Sequence, residues 1–100
     1  MFMNTSDIKT YRLIIKGKVQ GVGFRHWFSN LATSHGLNGY IKNLIKNDEV
    51  EVMVQGDTKP IFEIVEKSKS GPKYALVEEI ITNEISTKVK YEEFITKYEN

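Results

Sequence analysis

Six consecutive residues, Gln20-Gly21-Val22-Gly23-Phe24-Arg25, combine glycines with an arginine just where a strand pattern gives way to a helix pattern. Backbone N–H groups at a helix start have no intrahelical acceptor. Glycines let successive N–H groups turn inward around an anion without Cβ atoms in the way. The helix dipole adds about half a positive charge at the same place. Arg25 supplies a planar, permanently charged fork that can grip two oxygens of a phosphate. The expectation is an anion cradle, for phosphate above all, made from the main chain of Gln20, Gly21, Val22, Gly23 and Phe24 with Arg25 beside it. A second candidate is Asn43, which closes the strand pattern Gly39-Tyr40-Ile41-Lys42-Asn43. A carboxamide both donates and accepts, so it can hold a water in one direction without carrying charge.

Each feature has a plainer reading. Gly21 and Gly23 also suit an ordinary tight turn with Arg25 solvated, and a lone strand-end asparagine is commonly a turn-former. No Gly-Lys-Ser/Thr closes the loop, which excludes a Walker-type phosphate loop, and the glycine spacing is wrong for a dinucleotide fingerprint.

The elements that must position these residues emerge from apolar periodicity. Tyr11, Leu13 and Ile15 share one face of a first strand. Phe24, Phe28, Leu31 and Ala32 form a helical stripe, with Gly36 as its C-cap. Residues 37–43 and 50–55 read as two strands joined by a Lys46-Asn47-Asp48-Glu49 hairpin turn, with Val50, Val52 and Val54 on one face. Asp57 or Thr58 caps a second helix striped by Ile61, Ile64, Val65 and Ser68, which Gly71-Pro72 stops. Residues 75–85 make a long strand, and Phe94, Thr96 and Tyr98 mark a short last one. The order β-α-β-β-α-β, with an added C-terminal strand, predicts an α+β fold of the ferredoxin-like kind. In it two helices cover one face of an antiparallel sheet. Residues 1–8 read as a loose lead-in and 9–100 as a single domain.

Composition narrows the chemistry. With 14 basic and 13 acidic residues the net charge is +1, so no global field gathers nucleic acid or membrane, and anion binding must be local. No cysteine is present, so thiolate nucleophiles and cysteine-based metal sites are excluded. His26 and His35 lack carboxylates at ligand spacing, and no metal or other cofactor is expected. No apolar run approaches a membrane span, and a cytoplasmic monomer without nucleic-acid or membrane partners is expected.

The run Gly17-Lys18-Val19-Gln20-Gly21-Val22-Gly23-Phe24-Arg25 resembles the signature of the acylphosphatase family at each characteristic position. The likeness continues through Gly36-Leu37-Asn38-Gly39-Tyr40-Ile41-Lys42-Asn43, Val50-Glu51-Val52, Gln55-Gly56, Gly71-Pro72 with Ala75 and Val77, and Phe94-Ile95. This resemblance implies a ferredoxin-like sandwich and metal-independent hydrolysis of small-molecule acyl phosphates to carboxylate and inorganic phosphate. It implies Arg25 as the phosphate-binding arginine, Asn43 as the residue that orients the attacking water, and the amides from Gln20 to Arg25 as the phosphate cradle. In one respect the chain departs from the family: the turn between Asn43 and Val50 is one residue longer than usual and lacks glycine.

Two other readings share these features. One is a sensor that holds a phosphorylated ligand without turning it over; the other is a nucleic-acid module of the same element order. Balanced charge and the lack of paired exposed aromatics on the central strands weigh against the latter. His26, Asn30 and Thr33 read as solvated helix positions, Trp27 and Phe28 as packing residues, and Tyr98 as closing the sheet edge. The pairs Glu78-Glu79 and Glu92-Glu93 read as solvated faces.

Overall fold

The computed structural model describes residues 8–46 and 48–98. Seven elements run in the order β1 (Ile8–Lys18), α1 (Phe24–Ser34), β2 (Asn38–Asn43), β3 (Glu49–Asp57), α2 (Thr58–Ser68), β4 (Leu76–Glu84) and β5 (Phe94–Lys97). Residues 1–7 of the expected lead-in and Asn47 of the expected turn lie outside the described residues, whereas Ile8 already pairs with Asp57.

Strand alternation separates the two faces of the sheet. Leu13, Ile15, Ile41, Val50, Val52 and Val54 point to one side and are buried against Phe24, Phe28 and Ala32 of α1 and Ile61 and Ile64 of α2. These helix residues recur every three or four positions, so each helix turns one apolar stripe onto the sheet. α1 ends in a Schellman pattern, in which the Leu37 and Gly36 N–H groups donate to the Ala32 and Thr33 carbonyls. Asp57 does precede α2 at the N-cap, but its side chain makes no capping hydrogen bond.

The sheet order is β4-β1-β3-β2-β5. The first four strands pair antiparallel, as expected, but β5 lies parallel to β2, so the sheet is mixed. The path of the chain explains this. β4 runs opposite to β1 and leaves the sheet at the end where β1 begins. The connection from residue 85 to 93 crosses that same end, held by the Ile85 N–H on the Thr10 carbonyl and by Gln55, which bonds the Val89 carbonyl and the Tyr91 N–H. A strand entering from that end can only run alongside β2 in β2's own direction. As a result β1, β2 and β5 all finish at the opposite end of the sheet.

The other sheet face carries a polar cluster. Glu51 is 8% exposed and accepts from Arg12 Nε at 2.6 Å and from the Tyr40 hydroxyl at 3.1 Å, with Lys42 Nζ 3.7 Å away. Burial alone would raise the Glu51 carboxyl, but Arg12 and Tyr40 more than offset it and hold it below its ordinary value. Burial first, then the adjacent carboxylate, pushes the Tyr40 phenol up to about 12.

Both shifts make stability depend on pH, with opposite signs. A carboxyl lowered in the fold contributes stability above its unfolded value and loses it as pH falls through the folded one. A phenol raised in the fold contributes fully below pH 10.0 and loses its contribution as pH climbs towards about 12. Urea unfolding at stepped pH should therefore show an acid loss that Glu51→Gln flattens and an alkaline loss that Tyr40→Phe flattens.

Candidate active site

The residues singled out for chemistry gather at the sheet end where β1, β2 and β5 finish. β1 reaches it through an irregularity: Lys16 pairs with Glu79 but Gly17 pairs with Val77, and the Gly17 N–H turns to the Asp48 carbonyl at 3.0 Å. Such a bulge bends the strand and re-aims the residues beyond it. The chain then passes through Gly21 at φ +74° and Gly23 at φ +78°, left-handed conformations that a side chain would strain. A Cβ at either glycine would meet nothing within 4 Å, so the requirement is conformational rather than spatial.

Gly23 is the N-cap of α1 and has no side chain to cap with, and no acidic residue stands in the first turn. The first helical bond is Trp27 N–H to the Gly23 carbonyl at 3.1 Å. Among the described residues, the N–H groups from Gln20 to Arg25 donate to no backbone or side-chain acceptor. A run of six unengaged amides at the positive end of a helix dipole can receive an anion.

Arg25 is half-buried in the first turn of α1. Its Nη1 donates to the Lys97 carbonyl at 2.6 Å, and its guanidinium lies 4.8 Å from the centre of the Tyr98 ring. Lys97 is in register with Lys42, one residue before Asn43, so Arg25 is moored beside the end of β2. Among the described residues no carboxylate pairs with Arg25, and its Nε and Nη2 donors have no protein acceptor. Tyr98 therefore departs from its expected role: it is 72% exposed beyond the end of β5 and stacks on Arg25 instead of closing the sheet edge.

Asn43 is the last residue of β2, paired with Val50 and on the same face as Ile41. Its Oδ1 is the one buried side-chain polar atom among the described residues that lacks a hydrogen-bond partner. An unpaired buried acceptor costs about 1–3 kcal/mol. A fold that keeps one at the end of β2 has an acceptor in reserve for a water or ligand donor. The Asn43–Val50 rung is intact, and just beyond it the Leu44 N–H donates to the Glu49 carbonyl at 3.0 Å.

One contact had no signal in residue types or spacing. The Gln20 carboxamide Nε2 lies 2.9 Å from the Glu49 carbonyl, 3.1 Å from that of Leu44 and 3.4 Å from that of Lys46. A glutamine beside a glycine gives no hint that it will reach main-chain atoms some 24 to 29 positions away. His26 and Asn30 bond each other at 3.2 Å on the exposed side of α1, as their solvated reading expects. Among the described residues no three His, Asp or Glu side chains come together as metal ligands, and no helix is long and apolar enough to cross a membrane.

The acylphosphatase family model matches residues 11–96, which takes in the loop from Gln20 to Phe24, Arg25 and Asn43. The chain belongs to the acylphosphatase family. A relative named acylphosphatase in Dehalococcoides mccartyi strain CBDB1 is 41% identical over 87 residues, 87% of this chain and 96% of that protein. The crystal structure of acylphosphatase from Bacillus subtilis is 31% identical and superimposes with a TM-score of 0.84 over 91% of this chain and 99% of its own. An acylphosphatase from Coxiella burnetii, 29% identical, reaches a TM-score of 0.88 over 97% of this chain and 100% of its own. The family's ferredoxin-like α+β fold is thus the fold seen here.

The mooring of Arg25 yields a measurable expectation. Tyr98→Ala should lower stability by about 0.5–1 kcal/mol, the worth of an exposed cation–π contact, in urea unfolding.

Proposed function

We propose that this acylphosphatase-family enzyme hydrolyses the carboxyl–phosphate anhydride of small-molecule acyl phosphates without a metal ion. Arg25 and the amides of Gln20, Gly21, Val22, Gly23 and Phe24 hold the phosphoryl oxygens, and Asn43 orients the attacking water. The observation that carries this reading is that, among the described residues, six unengaged amides and an unpartnered Asn43 Oδ1 lie at one end of the sheet.

The chemistry asks for no more than such a site offers. A carboxylate is a good leaving group, so no nucleophilic side chain is needed, and positioning with charge stabilisation suffices. The water oxygen forms a bond to phosphorus while the bond from phosphorus to the carboxylate oxygen breaks, and that electron pair leaves on the carboxylate. A phosphoryl oxygen of the substrate takes the water's proton. Asn43 Oδ1 accepts a hydrogen bond from that water and turns a lone pair towards phosphorus. Amides and guanidinium hold the three phosphoryl oxygens where negative charge spreads in the transition state.

A simple aryl acyl phosphate mixed with the purified chain and excess chelator tests this directly. Loss of the anhydride should proceed at an undiminished rate, whereas an inert protein that binds inorganic phosphate tightly would be a sensor. Arg25→Ala should weaken phosphate inhibition and lower kcat/KM together, by about a hundredfold or more. Asn43→Ala should lower kcat by a similar factor, about a hundredfold, while inorganic phosphate still inhibits nearly as before.

A further inference from the structure

In the proposed mechanism Gln20 contributes only its main-chain amide, yet its side chain is the bond between the cradle and the strand that carries Asn43. Nε2 carries two hydrogens and faces three carbonyls, those of Glu49, Leu44 and Lys46. Leu44 directly succeeds Asn43, and Glu49 directly precedes Val50, the cross-strand partner of Asn43. Because Leu44 N–H also donates to the Glu49 carbonyl, the Gln20 amide closes the first rung beyond the β2–β3 ladder from the side of the loop. The Asn43 side chain makes no hydrogen bond among the described residues, so its aim depends on how firmly the main chain at 43 and 44 is held.

We infer that Gln20 is a positioning residue for the reaction: its carboxamide sets the distance and angle between the phosphate cradle and the Asn43 carboxamide. This rests on the reading of Asn43 as the residue that directs the water. All the groups in the clamp are neutral, so it holds at any pH where the protein is folded. It acts on the geometry between two parts of the site and leaves the cradle's own amides in place. Its loss should therefore appear in turnover and spare phosphate affinity, since misplacing a reacting group by about 1 Å can cost on the order of a hundredfold.

The test uses the full chain, an aryl acyl phosphate as substrate and inorganic phosphate as competitive inhibitor. Gln20→Ala, Gln20→Met, Gln20→Glu, Asn43→Ala and the double variant Gln20→Ala/Asn43→Ala are compared, with each variant's fold checked by circular dichroism. Gln20→Ala and Gln20→Met should lose about 10- to 100-fold in kcat, with the inhibition constant for phosphate unchanged to within about threefold. The double variant should be no slower than Asn43→Ala by more than about twofold, because the clamp acts only through Asn43. Gln20→Glu presents an acceptor to three carbonyl oxygens and should be at least as slow at neutral pH. It should regain rate as the pH falls and the carboxyl gains an O–H to donate.

Additive losses in the double variant, or a phosphate inhibition constant that rises in step with the fall in kcat, would overturn the inference. Full activity in Gln20→Ala beside a slow Asn43→Ala overturns this inference alone. Full activity in Asn43→Ala overturns the role given to Asn43, and this inference with it.

Discussion

A backbone N–H that donates to nothing in the protein must find its acceptor outside it. The rest of this structure is arranged around six groups in a row, from Gln20 to Arg25, that donate to nothing among the described residues. Left to itself, a chain at a helix start satisfies several of these donors with a side-chain cap or by extending the helix backwards. Here neither route is open. The N-cap is a glycine, and the left-handed conformations at Gly21 and Gly23 break the helical path upstream of Phe24. The bulge between Lys16 and Gly17 re-aims the last two residues of β1, which still pair with Val77 and Leu76, just ahead of the loop.

Holding such a loop open requires the elements beneath it to be rigid, and the core supplies that. Phe24 is buried one residue after the N-cap and stacks on Phe28, which in turn meets Phe94 of β5. The first turn of α1 is therefore packed down while its amides stay unengaged. Ser29 also bonds the Thr96 hydroxyl, tying the next turn of α1 to β5. The same packing puts Arg25 beside the Lys97 carbonyl, so a core contact and a site contact share one helix. Strand alternation does the equivalent work for Asn43: it lies with Ile41 on the inward face, which keeps its Oδ1 buried and away from the polar cluster around Glu51.

How much of this could be read from the sequence varies with the range of the interaction. The Phe24, Phe28 and Ala32 stripe and the Val50, Val52 and Val54 alternation are local patterns, and both face the core as expected. Arg25 and Asn43 were legible as candidates through residue type, through placement at element ends and through the motif likeness. The parallel entry of β5 was not, because it depends on which end of the sheet the connection from 85 to 93 crosses, and Gln55 fixes that through contacts with Val89 and Tyr91. Nor was the partner of Tyr98, since an aromatic at a strand end packs equally well on an edge or on a cation. The Gln20 clamp was the least legible, for its acceptors are carbonyl oxygens, which every residue possesses.

That last property bears on the long turn between Asn43 and Val50. A hairpin that widens by one residue can either shift the register of its strands or absorb the change at its tip. Shifting the register by one would turn Val50, Val52 and Val54 to the polar face, so the hydrophobic pattern holds the Asn43–Val50 rung. Asp48 in that turn has φ +65°, a left-handed conformation that aspartate tolerates better than most side chains. A clamp that recognised turn side chains would fail when the turn changed. The Gln20 carboxamide recognises main-chain oxygens on both arms of the hairpin, so it still spans them whatever residues form the tip. In the proposed arrangement the position of Asn43 against the loop is thereby insulated from the identity of the turn residues.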